Sequence, residues 1–158
     1  MTQTNYAKLA AAIAVCLLVG ILGSLYTMPA IPGWYAGLNK PAFTPPSWVF
    51  GPVWTSLYIL MGISLYLVLG RGLGAWGVKP ALSLFSIQLV LNFLWSYLFF
   101  GLRSPLAGLI CIALLWVELA LTIVAFSRIS RKAALLLVPY LLWVTFAVYL
   151  NFSIWLMN

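Results

Sequence analysis

Trp34-Tyr35-Ala36-Gly37-Leu38-Asn39-Lys40-Pro41-Ala42-Phe43-Thr44-Pro45-Pro46 is the stretch from which the rest of the chain is read. It is the one long polar and aromatic passage between runs that are otherwise almost continuously apolar. Pro41, Pro45 and Pro46 fix φ at their own positions and push the residue before each toward extended geometry, so the stretch reads as a semi-rigid loop. Trp34, Tyr35 and Phe43 supply its rings. A stiff aromatic loop joining two apolar helices suits a lid over an intramembrane cavity. The competing reading is an interfacial aromatic belt beside an ordinary turn.

Outward from that loop lie five apolar segments, at about Tyr6 to Thr27, Ser47 to Leu69, Lys79 to Phe100, Pro105 to Phe126 and Lys132 to Met157. Runs of about 22 residues at roughly 1.5 Å per residue cross a hydrocarbon core of about 30 Å. In lipid the backbone must satisfy its own hydrogen bonds, so such runs are helices. The first is longer than the apolar core of a secretory signal and lacks a clear A-x-A site, so it reads as a retained helix. Arg71 to Gly77, Gly101 to Ser104 and Ser127 to Arg131 are short connections, which make neighbouring helices antiparallel. The expectation is an all-α membrane protein. A single domain over 1–158 forms a five-helix transmembrane bundle, with the long first loop as its lid.

Composition agrees. Apolar residues make up 65% of the 158 and charged residues 6%, and mean hydropathy is +1.13. A soluble domain carries roughly 25% charged residues. The net charge of +7 comes from eight thinly spread Lys and Arg, which suits loop markers and lipid headgroups rather than nucleic acid. Lys8, Arg71, Lys79, Arg128, Arg131 and Lys132 fall on the N-terminal side, and only Lys40 and Arg103 on the other. By the positive-inside rule that split predicts a cytoplasmic N-terminus in a prokaryotic cell membrane, with the aromatic loop outside.

Polar residues within spans are costly unless used. Gln88, Asn92 and Trp95 or Ser96 share a face of the third segment; Tyr140, Trp143, Ala147 and Asn151 share one on the fifth; Gly51, Trp54, Thr55 and Tyr58 share one on the second. Such faces serve either as helix–helix hydrogen bonding or as a pocket for a flat aromatic ligand. Trp and Tyr beside Asn, with Gly and Ala making room, favour the pocket. Pro52 and Pro139, near their helix starts, either splay the bundle or are tolerated first-turn prolines. Glu118, the only acid, costs roughly 2.5 to 3.5 kcal/mol at mid-span. It has no basic neighbour on its own face, so it either bonds to an adjacent helix or faces a polar cavity.

The catalytic inventory is short. Without His or Asp there is no Ser-His-Asp triad, no paired carboxylate and no His ligand for a metal, so none is expected to be held. Cys16 and Cys111 lie far apart in apolar runs and read as packing residues. Gly72-x-Gly74 follows no strand and is not a nucleotide fingerprint.

The quoted loop, followed by Val53-Trp54-x-x-Leu57-Tyr58, Gln88-x-x-x-Asn92-x-x-Trp95-Ser96, Val138-Pro139-Tyr140-Leu141-Leu142-Trp143 and Leu150-Asn151-Phe152, resembles the TspO/MBR family. These are the tryptophan-rich sensory proteins, related to the mitochondrial translocator protein. The resemblance covers essentially the whole chain. It implies a five-helix bundle, often homodimeric, whose first loop closes over a pocket for porphyrins such as protoporphyrin IX and haem, or for benzodiazepine-type ligands. No required cofactor is implied. The ligand-binding residues it implies are Trp34, Tyr35, Trp54, Tyr58, Asn92, Trp95, Trp143, Ala147, Leu150 and Asn151. It also implies Trp54 and Trp143 as candidates for light-dependent porphyrin breakdown, the alternative to a binding role as transporter, sensor or scavenger. A structural or partner-regulating membrane protein is the third reading. The sterol motif of eukaryotic relatives needs a basic residue soon after a C-terminal Tyr, and none follows Tyr140 or Tyr149, so sterol binding is not carried over.

Overall fold

The computed structural model describes residues 5–158; residues 1–4 of the expected 1–158 domain lie outside the described residues. The described residues form five long helices: α1 (Tyr6–Ala30), α2 (Phe50–Leu69), α3 (Val78–Ser96), α4 (Pro105–Ser127) and α5 (Arg131–Met157). All five, with their adjoining turns, are long and apolar enough to cross a membrane, as the apolar runs predict.

Local chemistry sets several boundaries. The side chains of Asn5, Ser104 and Ser130 accept the backbone N–H groups of Lys8, Ala107 and Ala133, capping α1, α4 and α5. Gly77, at φ 79°, turns the chain into α3 with a backbone that other residues adopt rarely. Helix α5 runs on through Pro139 and α1 through Pro29.

The first boundary corrects the sequence reading. The first segment was expected to stop near Thr27, but helix continues to Ala30 and then through a π turn, Ile31–Tyr35. Pro32 has no N–H to donate back into the helix, and the turn widens instead: the Ala36 N–H donates to the Ile31 carbonyl at 3.1 Å. Trp34 and Tyr35 therefore belong to the helix end rather than to the loop. A second π turn, Tyr97–Gly101, closes α3, with the Leu102 N–H donating to the Tyr97 carbonyl at 2.8 Å.

The helices close into a ring in the order α1, α2, α5, α4, α3. Helices α2 and α3, though joined by a short turn, are not neighbours in this ring: α1 lies between them, and they meet through long side chains across the interior. The N-terminal half of the ring is filled. Phe85 stacks on Phe126 with centroids 5.6 Å apart, Ser64 donates to the Ala133 carbonyl at 2.8 Å, and Met61, Ile112, Leu115 and Leu137 are wholly buried. Where α1 crosses α2, Gly62 lies against Ile13 so closely that an added Cβ would stand 2.4 Å from the Ile13 Cα. Small residues let transmembrane backbones approach in this way.

Candidate functional site

Toward the loop end the ring is not filled. A cavity of about 300 Å³ opens there, lined by α1, α2, α3 and α5 and their adjoining turns, with no residue from α4. That is the lower end of the range for small-molecule sites, roughly 300–1,000 Å³. No charged side chain lines it among the described residues.

Its floor is a buried polar chain. The Tyr58 hydroxyl donates to Asn92 Oδ1, and Asn92 Nδ2 donates to the Tyr140 hydroxyl at 2.6 Å. Asn92 and Tyr140 are almost fully buried, where an unpaired amide costs about 1–3 kcal/mol; the chain spares that cost and links α2, α3 and α5. A second amide is used the same way. Trp95 Nε1 donates to Asn151 Oδ1 at 3.1 Å, and Asn151 Nδ2 donates to the Pro105 carbonyl at 2.8 Å.

The walls are aromatic. Trp54 stands with its ring centroid 5.8 Å from Tyr58, 6.2 Å from Trp95 and 6.0 Å from Tyr140. Trp95 stacks on Phe99 at 5.7 Å. Across the cavity Trp143 packs on Phe50 and Phe146 at 6.1 and 5.5 Å, and its Nε1 is buried without a partner. Small residues leave the space between: Gly20, Gly23, Gly51 and Ala147 all line it.

Of the ten residues proposed from sequence, Tyr35, Trp54, Tyr58, Asn92, Trp95, Trp143, Ala147, Leu150 and Asn151 come together around this one cavity. Trp34 does not. The widened turn directs it onto Phe99 and Phe100, with centroids 5.4 and 6.4 Å away, behind the wall. Tyr140 lies in the floor rather than the lining, and Thr55 is exposed, its hydroxyl donating to the Gly51 carbonyl. Gln88 is buried one turn below Asn92, against Met61. Glu118 is on α4, outside the cavity, with Oε1 buried and unpartnered.

Sequence reasoning missed the contribution of α1. Gly20, Gly23, Ser24, Thr27, Met28 and Ile31 supply one wall. Gly20, Gly23, Ser24 and Thr27 recur on one face at spacings of three and four, and that small-residue stripe was the available signal.

The loop between α1 and α2 is fastened down. Lys40 Nζ donates to the carbonyls of Tyr35, Ala36 and Leu38 at 2.7, 3.2 and 3.0 Å, closing the helix end beneath it, and stands 4.9 Å from the Tyr35 ring centroid. The Asn39 N–H donates to Asn158 Oδ1 at 3.0 Å, Asn158 Nδ2 returns a bond to the Asn39 carbonyl at 2.9 Å, and Asn39 Nδ2 reaches the Met157 carbonyl at 3.3 Å. Phe43 stacks on Tyr149 of α5 at 5.1 Å. None of residues 36–46 lines the cavity.

Comparison with known proteins gives a consistent pattern. The sequence profile of the TspO/MBR family matches residues 12–156. The chain is similar to the tryptophan-rich protein TspO of Chlorobaculum tepidum, 52% identical over 150 residues covering 95% of both chains. It is similar to that of Archaeoglobus fulgidus, 51% identical over 154 residues covering 98% of this chain and 99% of the relative. The human translocator protein is 44% identical over 124 residues, covering 77% of this chain and 73% of its own.

Proposed function

The chain belongs to the TspO/MBR family, and from that premise we propose that its cavity binds porphyrins and other flat hydrophobic ligands within the membrane. It is a multi-pass integral membrane protein with a sensory or binding role. In the finer reading it acts as a transporter, sensor or scavenger. The supporting observation is the set of three indoles, Trp54, Trp95 and Trp143, around one uncharged cavity whose two wall amides are already bonded to protein. Such a wall recognises a ring by stacking and by apolar burial. Benzodiazepine-type ligands fit the same description, and a homodimer belongs to the same proposal.

Titration of the purified protein with protoporphyrin IX in the dark, followed by Soret absorbance and tryptophan fluorescence, tests this. Saturable quenching is expected. A linear, unsaturable signal would favour a structural or partner-regulating role instead. A second reading, light-dependent oxidation of the bound porphyrin, is supported by Trp54 standing within 6.2 Å of three other aromatic rings. Oxygen would be the oxidant: the excited porphyrin takes an electron from an indole, oxygen adds to the reduced macrocycle, and the oxidised ring system returns the electron to the indole radical. Under illumination it requires Trp54→Phe and Trp143→Phe to keep most of the affinity and lose the decay of absorbance; equal bleaching by the variants and the unmodified protein would end it.

The proposed orientation places the N-terminus in the cytoplasm of a prokaryotic cell. Ala36 and Ala75 are exposed at opposite ends of the bundle, while both native cysteines are buried. A cysteine at Ala36 is expected to react with an impermeant thiol reagent added to intact cells, and one at Ala75 only after lysis. The reverse pattern inverts the topology.

A further inference from the structure

We propose that the cavity is loaded sideways, from the lipid leaflet on the loop side, through the gap between α1 and the first turn of α2, while the loop over residues 36–46 stays fastened. The inference rests on the binding role proposed above and concerns the route to that site.

The exposure of the lining gives the direction. Nineteen of the 23 lining residues are buried or half-buried, and the four exposed ones are Met28, Ser47, Trp48 and Gly51. Met28, 69% exposed, is on α1; the other three, including Trp48 at 75%, begin α2 and the short turn before it. The cavity therefore reaches the surface between these two helices. Farther down, the same helices are clamped together, with Gly62 against Ile13 and Gly20 against the Tyr58 ring. Above the clamp they part. A Cβ added at Gly51 would meet nothing within 4 Å, although Gly51 lines the cavity.

The loop offers no comparable opening. To lift it, the chain must break the three Asn39 bonds to the end of α5 and unstack Phe43 from Tyr149. A flat apolar molecule, moreover, concentrates in the bilayer rather than in water. At the side gap it would pass between a thioether and an indole with no hydrogen bond broken. Trp48 lies at the loop-side end of its span, the depth at which indoles favour the interface.

The route is tested by stopped-flow quenching of tryptophan fluorescence by protoporphyrin IX, with the protein in vesicles of phosphatidylcholine and phosphatidylglycerol. Gly51→Phe fills the gap and is expected to slow association and dissociation together by about ten-fold or more, within the span that mutations of one site produce. Trp48→Ala widens it and is expected to speed both. Asn39→Cys with Asn158→Cys locks the loop to α5, and Asn158→Ala releases it. Neither is expected to change the association rate by more than about two-fold, with or without reductant. A locked loop that slows association ten-fold, with recovery on reduction, overturns the side route. So does an unchanged rate in both Gly51→Phe and Trp48→Ala. Saturable quenching with a loop-dependent rate leaves the binding role standing and removes only the route; no saturable quenching by the unmodified protein removes both.

Discussion

Gly62→Ala is expected to lower stability by about 3 kcal/mol or more, at or above the upper end of what overpacking a core costs. The added Cβ would stand 2.4 Å from the Ile13 Cα and 2.8 Å from its backbone nitrogen. Both are backbone atoms, so no side chain can rotate away, and α1 must shift as a body. Gly20, which would meet the Tyr58 ring, would then lose its fit as well. Gly74→Ala is the matched control: it meets nothing within 4 Å and has no positive φ, so its effect should stay within about 0.5 kcal/mol. The measurement is the thermal midpoint in detergent. A Gly62→Ala protein melting with the unmodified one would mean that α1 and α2 do not cross this closely.

Trp54→Ala and Trp143→Ala are each expected to weaken protoporphyrin IX binding by about five-fold to more than a hundred-fold. The figure takes about 1–3 kcal/mol for one ring stacked on an aromatic side chain and 1.4 kcal/mol per decade. The two indoles line the cavity from α2 and α5, so each variant removes one wall. Trp76→Ala is expected to leave affinity unchanged, since Trp76 is 83% exposed in the turn between α2 and α3. Dissociation constants from dark titrations decide the matter. Equal losses in all three variants would indicate a destabilised fold and count against the cavity as the site.

Much of this architecture was legible because a bilayer leaves a chain few options. Runs such as Pro105 to Phe126 can only be helices in lipid, and the helical recurrence of Trp54 with Tyr58, Asn92 with Trp95, and Trp143 with Ala147 and Asn151 already put cavity residues on common faces. What stayed hidden was whatever depends on a backbone bond changing partner or on distant segments meeting. Pro32 removes one backbone donor, and the helix continues past it by widening one turn. Trp34 belongs to the loop by its sequence pattern and to the pocket by the family resemblance, whereas the turn carries it behind Phe99. The ring order, in which α1 separates α2 from α3, leaves no local trace in the eight residues that join them. Nor does the pairing of Asn39 with Asn158, 119 positions apart.

The bonding of the cavity amides also bears on selectivity. Asn92 and Asn151 each give one donor and one acceptor to other parts of the protein, so each keeps only one N–H and one oxygen lone pair for a guest. In the proposed binding role such a site selects mainly by flat, apolar shape. Its guests should resemble one another in profile rather than in functional groups, with association marked by a negative heat-capacity change.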